Sequence, residues 1–71
     1  MVIGMSLDVQ KIKQLRLKAG LSQADAANRA GIKGGRQGWY NIESGRQSNP
    51  TLQTLERIAR VLGVTVPALL K

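Results

Sequence analysis

A chain of 71 residues has room for one domain, and a domain that short buries only about 60% of the surface its unfolded chain exposes, so every core side chain carries weight. The sequence sets 11 Lys and Arg against 4 Asp and Glu, a net charge of +7, and holds no cysteine and no histidine. This balance seeks polyanions, and it excludes disulfide staples, thiolate or imidazole metal sites, and the commonest catalytic bases and nucleophiles.

Met1 to Ser6 is too short and uncharged for a signal peptide and reads as a flexible extension ahead of one domain over 7–71. From Asp8 to Lys18 the apolar residues Val9, Ile12 and Leu15 recur at helical spacing, and Gly20 supplies a stop. Ser22 is placed to cap a second helix, with Asp25 as the acidic partner of a capping box and Ala24, Ala26, Ala27 and Ala30 carrying the helix to Gly31. Three glycines within Lys33-Gly34-Gly35-Arg36-Gln37-Gly38 predict a turn of unusual backbone angles, after which Trp39 to Ser44 reads as helix again, ended by Gly45. Gln47 to Pro50 forms a loop. From Thr51 the stripe Leu52, Leu55, Ile58, Ala59 and Leu62 is the clearest helical pattern, closed by Gly63. Thr65 is expected to cap a last helical turn holding Pro67, Leu69 and Leu70. No alternating strand pattern, internal repeat or membrane-length apolar run interrupts this all-α order of five short helices.

Two short helices joined by a tight turn, the second followed by a glycine stop and a polar loop, form the layout of a helix-turn-helix. Gly20-Leu21-Ser22-Gln23, Ala27, Gly31-Ile32, Ile42-Glu43-Ser44-Gly45-Arg46, Asn49-Pro50-Thr51-Leu52 and Leu62-Gly63-Val64 follow one another in the order seen in phage Cro and repressor proteins. From its first helix to its last residue the chain resembles that family, also called the xenobiotic-response-element or lambda-repressor-like family. The resemblance implies a compact five-helix DNA-binding domain and a transcriptional regulator, a repressor first, working in the cytoplasm on double-stranded DNA.

It further implies that the helix around 36–44 enters the major groove and that the start of the preceding helix faces a phosphate. A helix N-terminus carries free N–H groups and partial positive charge, so Ser22 and Gln23 suit that phosphate. Arg36, Gln37, Tyr40, Asn41 and Ser44 share one face by helical spacing and are the expected base contacts, since Arg pairs with guanine and Gln or Asn with adenine. Lys33, at the opposite rim, and Arg46, Gln47 and Ser48, after the recognition helix, are expected to hold phosphates and to position without specifying. Glu43 would repel DNA unless paired, and Arg16 stands where the family supplies its partner, which predicts a partly buried ion pair. A weak homodimer on a palindromic operator is implied too, possible through Val66, Leu69 and Leu70, with no metal, cofactor or membrane involved.

Two departures from the family pattern stand out. Between Ile32 and Trp39 the chain is about two residues longer than the usual turn. If the recognition helix starts only near Gly38, Arg36 and Gln37 lie on a loop that orders when DNA binds. Ala26 and Ala30 occupy positions usually held by leucine, and Trp39 is expected to fill the space they leave. Among other functions, an enzyme is disfavoured: the glycine run lacks both the Gly-Lys-Ser/Thr ending and the strand of a phosphate-binding loop. An antitoxin or adaptor that binds protein is the stronger rival, because fold alone does not decide function.

Overall fold

The computed structural model describes residues 7–47 and 50–70. The expected flexible extension over residues 1–6 and the expected phosphate contact at Ser48 lie outside them. Four α-helices, α1 (Val9–Lys18), α2 (Gln23–Ala30), α3 (Gly35–Glu43) and α4 (Leu52–Leu62), are followed by one 3-10 turn, Val66–Leu69.

Local signals start and stop most of these elements. The Asp8 carboxylate accepts from the Lys11 N–H at 3.2 Å and opens α1. At α2 the Ser22 hydroxyl accepts from the Asp25 N–H at 3.0 Å, while the Asp25 carboxylate accepts from the Ser22 N–H at 3.4 Å, the two halves of a capping box. The helix ends at Gly31, where the Ile32 N–H reaches back to the Ala27 carbonyl at 2.9 Å. Thr51 caps α4 through the Thr54 N–H at 3.1 Å.

The core lies where α2 crosses α3 and α4. Ala26, Ala27 and Ala30 are all buried on the inner side of α2, and their small size lets the neighbouring helices approach closely. Trp39 fills the resulting space with no exposed surface, enclosed together with Ile12, Ile42, Ile58 and Leu69. The expected fifth helix is only the 3-10 turn: Pro67 sits at its start, Thr65 makes no side-chain cap, and the backbone is extended again at Leu70. There the ends of the domain meet, with the Asp8 N–H bonded to the Leu69 carbonyl at 2.8 Å and Leu7 paired antiparallel with Leu70. Of the three candidates for a dimer interface, Leu69 is inside the core, while Val66 and Leu70 pack against its edge and stay partly exposed.

Helix α3 spans Gly35–Glu43, close to the recognition helix expected around 36–44; the later start, at Trp39 or near Gly38, is not seen, so Arg36 and Gln37 belong to its first turn in the free protein and need no DNA to order them. Gly34 takes the N-cap position with φ +87°, which a side chain would make costly. Gly38 serves a different need. A Cβ there would lie 2.2 Å from the Lys33 carbonyl oxygen and 2.9 Å from Ile32 Cγ2, so the missing side chain lets the preceding turn fold directly onto the helix.

Candidate nucleic-acid interface

Beneath the two-helix motif, Glu43 gathers donors from three elements. Arg16 of α1 grips it with a fork, Nε to Oε2 at 2.8 Å and Nη2 to Oε1 at 2.9 Å. The Trp39 indole N–H, one turn earlier on α3, donates to Oε2 at 2.6 Å, and Gln23 Nε2 at the start of α2 donates to Oε1 at 3.3 Å. The third guanidinium nitrogen of Arg16 donates to the Leu21 carbonyl at 2.8 Å, tying in the α1–α2 connection. Both side chains are nearly enclosed, 8% and 5% exposed. Burial by itself pushes the Glu43 carboxyl up, but the donors from Arg16, Trp39 and Gln23 outweigh it and hold the group below the ordinary carboxylate range. The negative charge of α3 is thus satisfied internally and does not face outward.

The outward face of α3 is polar. Arg36, Gln37 and Tyr40 are exposed and share a shallow hollow with Gln23, which brings the first turn of α3 beside the start of α2. Gln37 Nε2 donates to Asn41 Oδ1 at 3.0 Å, a link between successive turns. Asn41 is half-buried, and Ser44 is exposed at the C-cap, its hydroxyl a long 3.4 Å from the Asn41 carbonyl. At the start of α2 the capping box occupies the Ser22 and Asp25 N–H groups. That leaves the Gln23 and Ala24 N–H groups as the donors at this end, while the Gln23 side chain is engaged with Glu43.

Lys33, Arg46 and Gln47 are all exposed. Lys33 and Gln47 were expected at opposite rims of the recognition face; instead they line one hollow together with Ile42, Thr54 and Arg57. Arg57 escaped the sequence reading, as did Arg29 and Arg60, with which it shares a neighbouring hollow. Arg57 and Arg60 on α4, and Arg29 on α2, each look in isolation like part of a solvated polar face. Only the crossing of α2 over α4 brings them together.

Residues 9–70 match the family model for a helix-turn-helix domain, and the chain belongs to that family, in its Cro and repressor form. Among its relatives is the HTH-type transcriptional regulator SinR of Bacillus subtilis (strain 168), 39% identical over 61 residues, which is 86% of this chain and 53% of SinR. The chain thus spans about half the length of that relative. The crystal structure of SinR in complex with DNA matches with a TM-score of 0.78 at 38% identity, over 86% of this chain and 94% of that one. The same fold also forms part of a different kind of protein. Fe(II) HppE matches with a TM-score of 0.78 at 28% identity, over 89% of this chain but only 32% of its own.

Proposed function

We propose that this chain is the DNA-binding part of a transcriptional regulator, a repressor by preference, which reads duplex DNA by laying α3 in the major groove. One observation carries the reading: α3 presents Arg36, Gln37 and Tyr40 outward beside the start of α2, while its only carboxylate, Glu43, is turned inward and neutralised. Arg36 would address guanine and Gln37 adenine, with Tyr40, Asn41 and Ser44 completing the face. The N–H groups at the start of α2, with Ser22 and Gln23, would take one backbone phosphate. Lys33, Arg46, Gln47 and Ser48 would hold the others. The likeness to SinR, which was crystallised in complex with DNA, supports DNA as the partner.

Catalysis forms no part of this proposal. The chain lacks His and Cys, and among its carboxylates Asp8 and Asp25 cap helices while Glu43 is ion-paired. A cytoplasmic homodimer on a palindromic operator follows from the family likeness, with half-sites one helical turn, roughly 34 Å, apart. Selection of bound sites from random duplex DNA tests the reading. The expected result is a two-fold symmetric consensus, bound with a salt dependence near a log-log slope of about −3.6 if four phosphates are neutralised by cationic side chains. Equal binding to every duplex would overturn it and favour the protein-binding adaptor or antitoxin.

A further inference from the structure

Away from the outward face of α3, the C-terminal end of α2 and the middle of α4 converge on a hollow of ≈ 410 Å³ whose walls include Arg29, Arg57 and Arg60. All three arginines are exposed, and none forms an ion pair among the described residues; Glu56, four residues before Arg60 on α4, leaves it unpaired. Taken singly, each has an ordinary explanation. Arg29 and Arg60 lie in the last turns of their helices, where a cation complements the helix dipole. Arg57 donates to the Gly31 carbonyl across a long 3.4 Å. Those roles ask for one cation at a helix end, and here three surround one hollow at the end of α2.

Where this cluster lies decides what it fits. Arg57 also lines the adjoining hollow with Lys33 and Gln47, the residues that flank α3 in sequence. A cationic strip therefore runs from the turn before α3, through Arg57, to Arg60 and Arg29. Recognition helices touch base edges with their N-terminal residues, so the turn ahead of α3 sits at the groove edge, where the sugar-phosphate backbone passes. Duplex DNA offers one negative charge per roughly 1.7 Å of axis, and arginine matches phosphate with a fork of donors. An acidic peptide would match the charge as well, but its continuity with Lys33 and Gln47 assigns the strip to DNA.

We propose that Arg29, Arg57 and Arg60 form a second phosphate site, which holds the backbone beyond the base pairs that α3 reads and extends the footprint outside each half-site. The inference rests on the proposed DNA binding. Its role is to add affinity that depends on duplex length and salt but not on sequence.

The test uses the whole chain and two duplexes carrying the same selected half-site, one trimmed flush on both sides and one flanked on both sides by about one helical turn, roughly 10 base pairs, of random sequence. Wild type should bind the flanked duplex more tightly, and a variant with Arg29→Gln, Arg57→Gln and Arg60→Gln should lose that advantage. For each phosphate released, the salt slope should fall by about 0.9, equivalent to about eightfold in affinity at 0.1 M salt relative to 1 M, while flush-duplex binding stays unchanged. A control with Lys11→Gln, Lys13→Gln and Lys18→Gln removes the same charge from exposed positions of α1 and should leave the advantage of the flanked duplex in place. Circular dichroism melts check that both variants are folded. Equal loss on both duplexes, or loss of the flank advantage in the control as well, would overturn the second site. So would an unchanged flank advantage in the arginine variant, and if that variant also lost binding to polyglutamate the cluster would be reassigned to an acidic protein. Wild type that binds both duplexes equally sinks this inference alone, whereas wild type that binds neither sinks the DNA-binding reading beneath it.

Discussion

The two ends of α3 are built by opposite means. At its C-terminal end Glu43 is held by charged and neutral side chains from α1, α2 and α3 itself, Arg16 and Trp39 within 3 Å and Gln23 at 3.3 Å, with little access to water. At its N-terminal end no side chain caps the helix, and the start is set by glycines that admit a left-handed N-cap and a backbone carbonyl pressed against Gly38. The difference teaches how the same nine residues can be anchored and still present a face. Ionic and apolar contacts fix the direction of α3 from below, while its first turn is shaped by backbone, leaving Arg36 and the amide oxygen of Gln37 open to a ligand.

Breaking the anchored end should cost most. Trp39→Ala removes the largest enclosed side chain and one donor to Glu43, and is expected to lower stability by about 3–5 kcal/mol, enough to unfold a domain this small. Thermal melting followed by circular dichroism checks it, and a well-folded variant with weakened DNA binding would instead make Trp39 a contact residue. Arg16→Ala is expected to cost about 3 kcal/mol, because it leaves a buried carboxylate without its ionic partner. An unchanged melting temperature would show that the fork contributes nothing to holding α3. Arg16→Lys should recover only part of the loss, since one ammonium cannot replace two parallel donors and also reach the Leu21 carbonyl.

The same anchor makes stability depend on acid. The Glu43 carboxyl is held below its ordinary value, about 4.3 in an unfolded chain. Its contribution is therefore complete above that pH and is lost as pH falls through the lower folded-state value. Denaturation of wild type and Glu43→Gln at a series of pH values should show a stability gap that is constant near neutrality and narrows below about pH 4.3. A gap independent of pH would mean that the carboxylate charge is not what the Arg16 fork holds.

At the other end, Gly38→Ala tests the backbone contact. A methyl 2.2 Å from the Lys33 oxygen must push the turn away, which is expected to cost about 1–3 kcal/mol, the usual range for overpacking. Amide exchange should show the loss confined to the turn and the first residues of α3, with the Glu43 end still protected.

This contrast also explains what the sequence made legible. The capping box of Ser22 and Asp25 and the stripe of α4 are local patterns of three and four residues, set by helix geometry alone. The pairing of Arg16 with Glu43 came from family likeness, since 27 residues separate them. Gly38 misled because its partner is a carbonyl oxygen, and a glycine that admits a close neighbour looks in sequence like one that breaks a helix. The Trp39 indole lies four residues from Glu43, a readable spacing, but its direction depends on the small alanines of α2. Arg57 meets Gly31 only through the packing of α4 against α2, which no local pattern reports.

The smallest expected effect is the most informative about the reading face. Gln37 and Asn41 were both expected to touch bases, yet Gln37 donates to Asn41 Oδ1. One amide hydrogen of Gln37 is used, and its carbonyl and second N–H stay free, the pair of groups adenine requires. Asn41 would then act by positioning Gln37. On that account Gln37→Ala should erase about 1–3 kcal/mol of preference at a single base pair. Asn41→Ala should weaken preference at the same base pair by only about 0.2–0.5 kcal/mol, the worth of such a link between helical turns. If Asn41 reads a base itself, its removal should instead cost the larger amount at a different base pair. Binding of both variants to a set of operators substituted one position at a time separates these outcomes. The loss from Asn41→Ala must fall on the base pair that Gln37→Ala defines, or the side-chain link seen in the free protein opens when DNA arrives.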